Sequence, residues 1–225
     1  FADVVYTLQV GRKSFAHRRA LVCGDAAEAV EILSAGNPKK VYTHEVTQEN
    51  PPVIFMFAGL GSQYVNMGRE LYETEPVYRR EIDRCFEILE PLTEYDIKEI
   101  LYPVGGQPGE PSDYCKTMIH HPSVSQIAIF VYEYALARLL LSWGIEPHAM
   151  IGYSFGEYTA AGVAGVFTLE EVLTLIVHRG KLVEETPEGG MLSVPLTREE
   201  IQPLLSHRED LSLAIDNGES CVVSG

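Results

Sequence analysis

The chain is poor in basic residues: 17 Lys and Arg stand against 32 Asp and Glu, a formal charge of -15 over 225 residues. That balance argues against a nucleic-acid backbone as partner. Cysteine is scarce too. Cys23, Cys85, Cys115 and Cys221 lie far apart and match no metal-ligand or redox spacing, so they read as buried or idle thiols of a reducing compartment, and no metal is expected. No signal peptide is visible in the sequence, and Phe1-Ala2-Asp3 begins abruptly, as an excised segment would. The most apolar run, Ile127 to Trp143, carries Glu133 and Arg138 and is shorter than a membrane span. Phosphate-binding signatures are missing: there is no Gly-Lys-Ser/Thr and no G-x-G-x-x-G. Repeats and low-complexity segments are missing as well. What remains is a soluble, cytoplasmic globular chain with an ordinary composition, 46% hydrophobic and 22% charged, long enough for one large domain with small attachments.

Three segments follow from the pattern. Residues 1–50 form a small α+β unit. Ala2 to Leu8 reads as a helix start or short strand, Ala20 to Cys23 as a strand, and Asp25 to Ala35 as a helix stopped by Gly36-Asn37-Pro38. Arg12, Lys13, His17, Arg18 and Arg19 make the only basic cluster, either a docking surface for an acidic partner or a solvated edge. Asn50-Pro51-Pro52 marks a boundary, and residues 51–188 form an α/β core. There Val53 to Phe57 is a continuous apolar run, expected of a strand buried on both faces of a parallel sheet. Met67 to Leu92 is helical with an interruption near Pro76, Tyr102 to Ser112 is a loop, and Ser123 to Trp143 is a long buried helix. Strands alternating with helices imply a mainly parallel sheet. Residues 189–225 then read β-α-β-β (Gly190 to Pro195, Arg198 to Leu205, Leu211 to Ile215, Cys221 to Ser224), the beginning of a ferredoxin-like unit.

Two loops carry the chemistry. After Val53 to Phe57 comes Ala58-Gly59-Leu60-Gly61-Ser62-Gln63, either a merely tight turn or a place where the backbone approaches a reacting centre with its amides free to donate. The short strand Ala149 to Ile151 enters Gly152-Tyr153-Ser154-Phe155-Gly156 and leaves into a small-residue helix. That is the strand, G-x-S-x-G turn and helix that a nucleophile elbow requires. The sharp turn pushes the Ser154 hydroxyl outward, the flanking glycines remove colliding side chains, and the following helix points free N–H groups and its positive end at the serine.

Further on, Thr168 and Glu171 form a capping-box pair that opens a helix to about Glu185. Val172, Leu175, Ile176, Leu182 and Val183 make one apolar stripe with Arg179 inside it. A buried arginine requires a carboxylate, which its planar fork holds bidentately; an internal Asp or Glu and a substrate carboxylate are both candidates.

Together these residues resemble the acyltransferase domains of modular type I polyketide synthases, and more distantly the malonyl-CoA:acyl carrier protein transacylases, over nearly the whole chain. Gly59-Leu-Gly-Ser-Gln63 is similar to the family's Gly-Gln-Gly-Ser-Gln loop, Gly152-Tyr-Ser-Phe-Gly-Glu157 to its Gly-His-Ser-x-Gly-Glu elbow, His178-Arg-Gly-Lys181 to its arginine segment, and Ser125-Gln126 with Ile127-Ala-Ile-Phe to its Thr-Gln-Pro-Ala-Leu-Phe segment. The resemblance implies an α/β-hydrolase-like core, with residues 1–50 as the linker from a ketosynthase that precedes it in the same polypeptide. It implies ping-pong transfer of a malonyl-type unit from acyl-CoA, through an ester on Ser154, to the phosphopantetheine thiol of an acyl carrier protein, with no bound cofactor. The N–H groups of Leu60 and Phe155 would form the oxyanion hole, Arg179 would hold the malonyl carboxylate, and Gln63, Gln126 and Tyr153 would line the substrate site. Phe155 is similar to the apolar residue of malonyl-selective members; methylmalonyl-selective ones more often have Gln there.

The chain departs from the family pattern at three points. Tyr153 replaces His, Leu60 replaces Gln, and the family's downstream general-base His is expected to be missing, since the chain ends at Gly225 inside the small subdomain. His120, His121, His178 and His207 do not match that base. Two other readings stand beside transfer: a non-catalytic docking or scaffold remnant, and a serine hydrolase. The latter lacks a His after Asp210 or Asp216 and any Asp-Gly.

Overall fold

Residues 1–48, 50–104, 111–187 and 189–225 are described in the computed structural model. They divide into two units, Phe1–Val53 and Ile54–Gly225. The first contains helix α1 (Ala2–Val10), strand β1 (His17–Leu21), helix α2 (Ala26–Ala35) and strand β2 (Val41–Glu45). β1 and β2 pair antiparallel, with Arg18 opposite His44 and Leu21 opposite Val41. The strand expected at Ala20 to Cys23 therefore starts three residues earlier and includes Arg18 and Arg19, which are exposed. α2 starts where Asp25 Oδ1 accepts the Glu28 N–H at 2.8 Å and stops at Gly36, whose φ of 60° is left-handed.

The second unit begins with β3 (Val53–Phe57), followed by α3 (Arg69–Thr74), α4 (Pro76–Leu89), α5 (Ile97–Leu101), α6 (Asp113–Met118), α7 (Pro122–Ser142), β4 (Pro147–Gly152), α8 (Gly156–Val163) and α9 (Leu169–Glu184). Proline sets two boundaries. Pro76 and Pro122 each occupy the first turn of a helix, where no N–H is needed. Asp96 and Ser112 cap α5 and α6, two short helices that flank the expected loop. Residues 105–110 of that loop lie outside the described ones.

α7 is the axis of the unit. Val124, Ile127, Ala128, Phe130, Val131 and Ala135 are fully buried between Ile82, Cys85 and Leu89 of α4 and Val172, Leu173 and Ile176 of α9. Each large side chain so buried stabilises the fold by roughly 1.5–3 kcal/mol. At 21 residues, α7 is long and apolar enough to meet the length and composition test for a membrane span, which the count from Ile127 to Trp143 had missed because the helix begins at Pro122. Two-thirds of its most apolar window is buried by the protein's own side chains.

α9 follows the expected capping box, with both Thr168 and Glu171 bonds formed. Its buried stripe is Leu169, Val172, Leu173, Ile176, Val177 and Gly180. Leu175 and Leu182 point outward at 40% and 63% exposure, so the stripe expected from spacing is rotated, and Arg179 is half-buried at its edge. The rotation follows from Gly180, which brings α9 against the start of α7: a Cβ there would lie 2.8 Å from Ser123 Cα.

Among the described residues β3 and β4 are hydrogen-bonded neighbours in a two-stranded sheet, and no further strand extends it into the broader parallel sheet expected. Nor is β3 buried on both faces. Phe55 and Phe57 are buried, whereas Ile54 and Met56 are 57% and 80% exposed, because among the described residues Ala137 and its helix cover one face only.

The last part of the unit is β5 (Met191–Val194), α10 (Arg198–Leu205), β6 (Ser212–Asp216) and β7 (Cys221–Ser224). The sheet order is β5-β7-β6, with both pairings antiparallel. A second capping box, Thr197 with Glu200, starts α10, and Ile201 packs on Cys221 and Val223.

Candidate active site

Ser154 sits between the end of β4 and the start of α8 with φ of 51°, a left-handed conformation that side chains other than glycine seldom adopt. The turn is pressed onto the end of β3. Tyr153 N donates to Phe57 O at 2.9 Å. A Cβ on Gly156 would strike the Phe57 and Ala58 carbonyls, and one on Gly152 would strike the Glu157 amide and Gly156. Only glycine permits this closeness at either position. Ser154 is exposed, and the exit from the turn is the positive end of α8.

The Ala58–Gln63 loop lies against this turn. A Cβ on Gly59 would meet the Tyr153 ring and carbonyl at 3.1 Å and Ser154 Cβ at 3.5 Å. Gln63 is buried and holds the loop from within: its Oε1 accepts the Gly61 N–H at 2.8 Å. Its Nε2 then faces His120 Nδ1 at 3.2 Å, within hydrogen-bond distance. The amides of Leu60 and Phe155 have no protein acceptor among the described residues. The Tyr153 and Leu60 side chains are exposed.

Arg179 reaches the same place from α9. Its guanidinium carbon lies 5.7 Å from the Phe155 ring centroid and 5.6 Å from that of Tyr158, two rings stacked at 5.4 Å. Its Nη1 donates to Gln126 Oε1 on α7 at 2.6 Å. Among the described residues it has no carboxylate partner within salt-bridge distance; an amide oxygen takes the role that an internal Asp or Glu was expected to fill. Gln126 is wholly buried, and its Nε2 has no partner among the described residues.

The structure thus brings Ser154, Phe155, Leu60 and Gly59 together at one turn and joins Arg179 to that turn and to Gln126. The histidines do not converge on it. His120 serves Gln63, and His121 Nδ1 is 3.1 Å from Glu184 Oε1 beside the Tyr95 ring. No histidine hydrogen-bonds Ser154 among the described residues. Glu133 is the site residue that sequence reasoning missed: from α7 its Oε1 accepts the Ala58 N–H at 2.6 Å, and burial pushes its carboxyl pKa upward. Its signal in the sequence is an acid inside the apolar run Ile127 to Trp143. A concavity of about 590 Å3 lined by Phe86, Glu87, Glu90, Glu94 and Tyr95 shares no residue with this site, and no group of three metal-ligating side chains occurs among the described residues.

The model of the acyl transferase domain family matches residues 54–225. The chain belongs to that family. A second family model, described as CurL-like, PKS C-terminal, matches residues 1–33. This acyltransferase domain is of the modular polyketide synthase type. It is 35% identical over 232 residues to erythronolide synthase EryA2 of Saccharopolyspora erythraea, with all of this chain and 6% of that protein covered. Among solved structures, the acyl transferase domain of ZmaA is 48% identical with a TM-score of 0.89, covering 100% of this chain and 52% of that one. The acyl transferase domain of SpnD in complex with 2-(pent-4-yn-1-yl)malonyl is 37% identical with a TM-score of 0.79, covering 100% and 51%. The acyltransferase domain therefore spans about half of these solved chains and about a tenth of the curated relatives.

Proposed function

We propose that this domain transfers a malonyl-type unit from acyl-CoA to the phosphopantetheine thiol of an acyl carrier protein in polyketide assembly. One observation carries the reading: an exposed serine in a strained turn is followed by a phenylalanine whose ring lies against a guanidinium that has no carboxylate partner among the described residues. Ser154 Oγ attacks the thioester carbonyl carbon as its proton passes to a general base. The C–S bond breaks, and the coenzyme A thiolate leaves and takes up a proton. The carrier thiol then attacks the ester and regenerates the Ser154 hydroxyl. The Leu60 and Phe155 amides are directed at the oxyanion of both tetrahedral intermediates. Arg179, fixed on one side by Gln126, presents its remaining N–H groups to the substrate carboxylate and disfavours uncharged acyl groups. Tyr153 and Gln63 line the approach. In this reading the base is the downstream histidine that the family resemblance implies, not His120, His121, His178 or His207.

The β4-turn-α8 geometry supports a nucleophile elbow on an α/β-hydrolase-like core. The β5-β7-β6 order supports a ferredoxin-like subdomain at 189–225, because a β-α-β-β chain with its third strand between the first two is how such a unit starts. Residues 1–50 act as the linker from a preceding ketosynthase, and the whole works in the cytoplasm.

The test is intact-protein mass after mixing the full-length protein with malonyl-CoA. A malonyl adduct that Ser154→Ala abolishes is expected. Arg179→Ala should lower the malonyl-over-acetyl preference by about tenfold to a hundredfold, the worth of a charge-assisted bond pair. No adduct on the wild-type protein would leave the scaffold reading. Equal uptake of uncharged groups with release as free acid would leave the hydrolase.

A further inference from the structure

We infer that Glu133 is a positioning residue for acyl transfer, setting the oxyanion-binding loop against the nucleophile helix. The inference rests on the reading of Ser154 as nucleophile and Leu60 as an oxyanion donor. Glu133 lies in the middle of α7, the most buried helix of the unit, where a carboxylate is costly and an apolar side chain would pack without penalty. Its Oε1 takes the Ala58 N–H at 2.6 Å. Ala58 is the first residue after β3 and stands two before Leu60. Its second oxygen, Oε2, and the hydroxyl of Thr159 are both shut off from solvent. Neither atom has a hydrogen-bond partner among the described residues.

Thr159 is on α8, five residues after Ser154 and completely buried. The carboxylate therefore ties the root of the loop that supplies one oxyanion donor to α7, and α7 packs against the helix that follows the other, where Gly162 meets the Phe130 ring. Gln63 grips the same loop at Gly61, so Leu60 lies between two fixed amides. Loss of the Glu133 acceptor frees the first of them. The Leu60 N–H meets full negative charge only in the tetrahedral state, so misplacing it lowers turnover and leaves ground-state binding alone.

The experiment compares Glu133→Gln, Glu133→Leu and Glu133→Met in the full-length protein, reading the rate of Ser154 malonylation against malonyl-CoA concentration together with thermal melts. Glu133→Gln retains an oxygen for the Ala58 N–H and should keep kcat within about threefold. Leu and Met keep the volume without the acceptor. They should lower kcat by about tenfold to a hundredfold, somewhat less than the removal of an oxyanion donor itself, with KM changed less than about twofold. Wild-type kcat in a folded Leu or Met variant overturns the inference, as does a loss confined to KM. If both apolar variants only unfold while Glu133→Gln works at full rate, Glu133 serves stability alone and the inference also fails. Absence of any Ser154 adduct on the wild-type protein sinks the underlying reading instead, so the two failures are distinct.

Discussion

Placing a single methyl group at Gly180 tests how the arginine is held. Cβ of Gly180→Ala would lie 2.8 Å from Ser123 Cα, 3.1 Å from its Oγ and 3.3 Å from its Cβ. Carbon atoms pack at about 3.5–4.0 Å, and the nearest obstacle is backbone at the first turn of α7, so α9 must retreat by roughly 0.7 Å or more. The neighbouring residue is Arg179, whose bond to Gln126 spans the same two helices at 2.6 Å. An equal retreat takes that bond past about 3.2 Å, the usual limit for an N–H···O bond. Overpacking costs about 1–3 kcal/mol, against a gain of about 1 kcal/mol from replacing glycine inside a helix. We expect a net loss near 1 kcal/mol, a fall in Tm of about 2–4 °C for a domain of this size, and a reduced malonyl-over-acetyl preference. Gly162→Ala is the milder comparison, since its nearest neighbours are ring atoms of Phe130 at 3.3 and 3.4 Å and Val172 Cγ1 at 3.5 Å, a shift of a few tenths of an ångström against side chains rather than backbone; it should cost less than Gly180→Ala and leave selectivity unchanged. Thermal and urea melts with competitive acylation measure both effects. A gain of about 1 kcal/mol in Gly180→Ala, with selectivity intact, would refute the argument that this helix crossing sets the arginine.

Two further outcomes follow from the strain and charge held at the site. Ser154→Gly relieves the left-handed φ and should raise stability by about 1 kcal/mol while abolishing the malonyl adduct; a destabilised variant in denaturant melts contradicts the strain. The Glu133 carboxyl pKa is raised by burial, so the wild-type protein loses stability as pH rises through that folded-state value and keeps it below the unfolded one. Glu133→Gln does not titrate there. Its melting advantage should therefore be larger at pH 8 than at pH 4.5, and an advantage that shrinks with rising pH reverses the sign.

Much of the local structure was legible in the chain. Thr168 with Glu171 specifies a helix start and Pro76 an interruption, and the structure starts α9 at the one and breaks α3 from α4 at the other. Ser154 was legible for the same reason: glycines two residues to either side, a strand before and small residues after are all local. The misreadings share one cause, partners supplied from elsewhere. The alternation in β3 between Phe55 and Phe57 inside and Ile54 and Met56 outside depends on which face α7 covers. A hydrophobic run is the same string whether one face is buried or two.

What the sequence by itself determined is therefore the set of elements with strong end signals, the strained serine between two of them, and an arginine needing a partner. The tertiary structure alone decided what each polar group meets. Arg179 reaches Gln126 across 53 residues, His120 reaches Gln63 across 57, and Glu133 reaches Ala58 across 75. Caps and turns are closed by neighbours whose spacing the covalent chain dictates. The Arg179 and Glu133 pairs exist only because α7 packs at once against α9 and the loop after β3, and the His120 pair because the turn that precedes α7 meets the same loop; no local pattern specifies that packing.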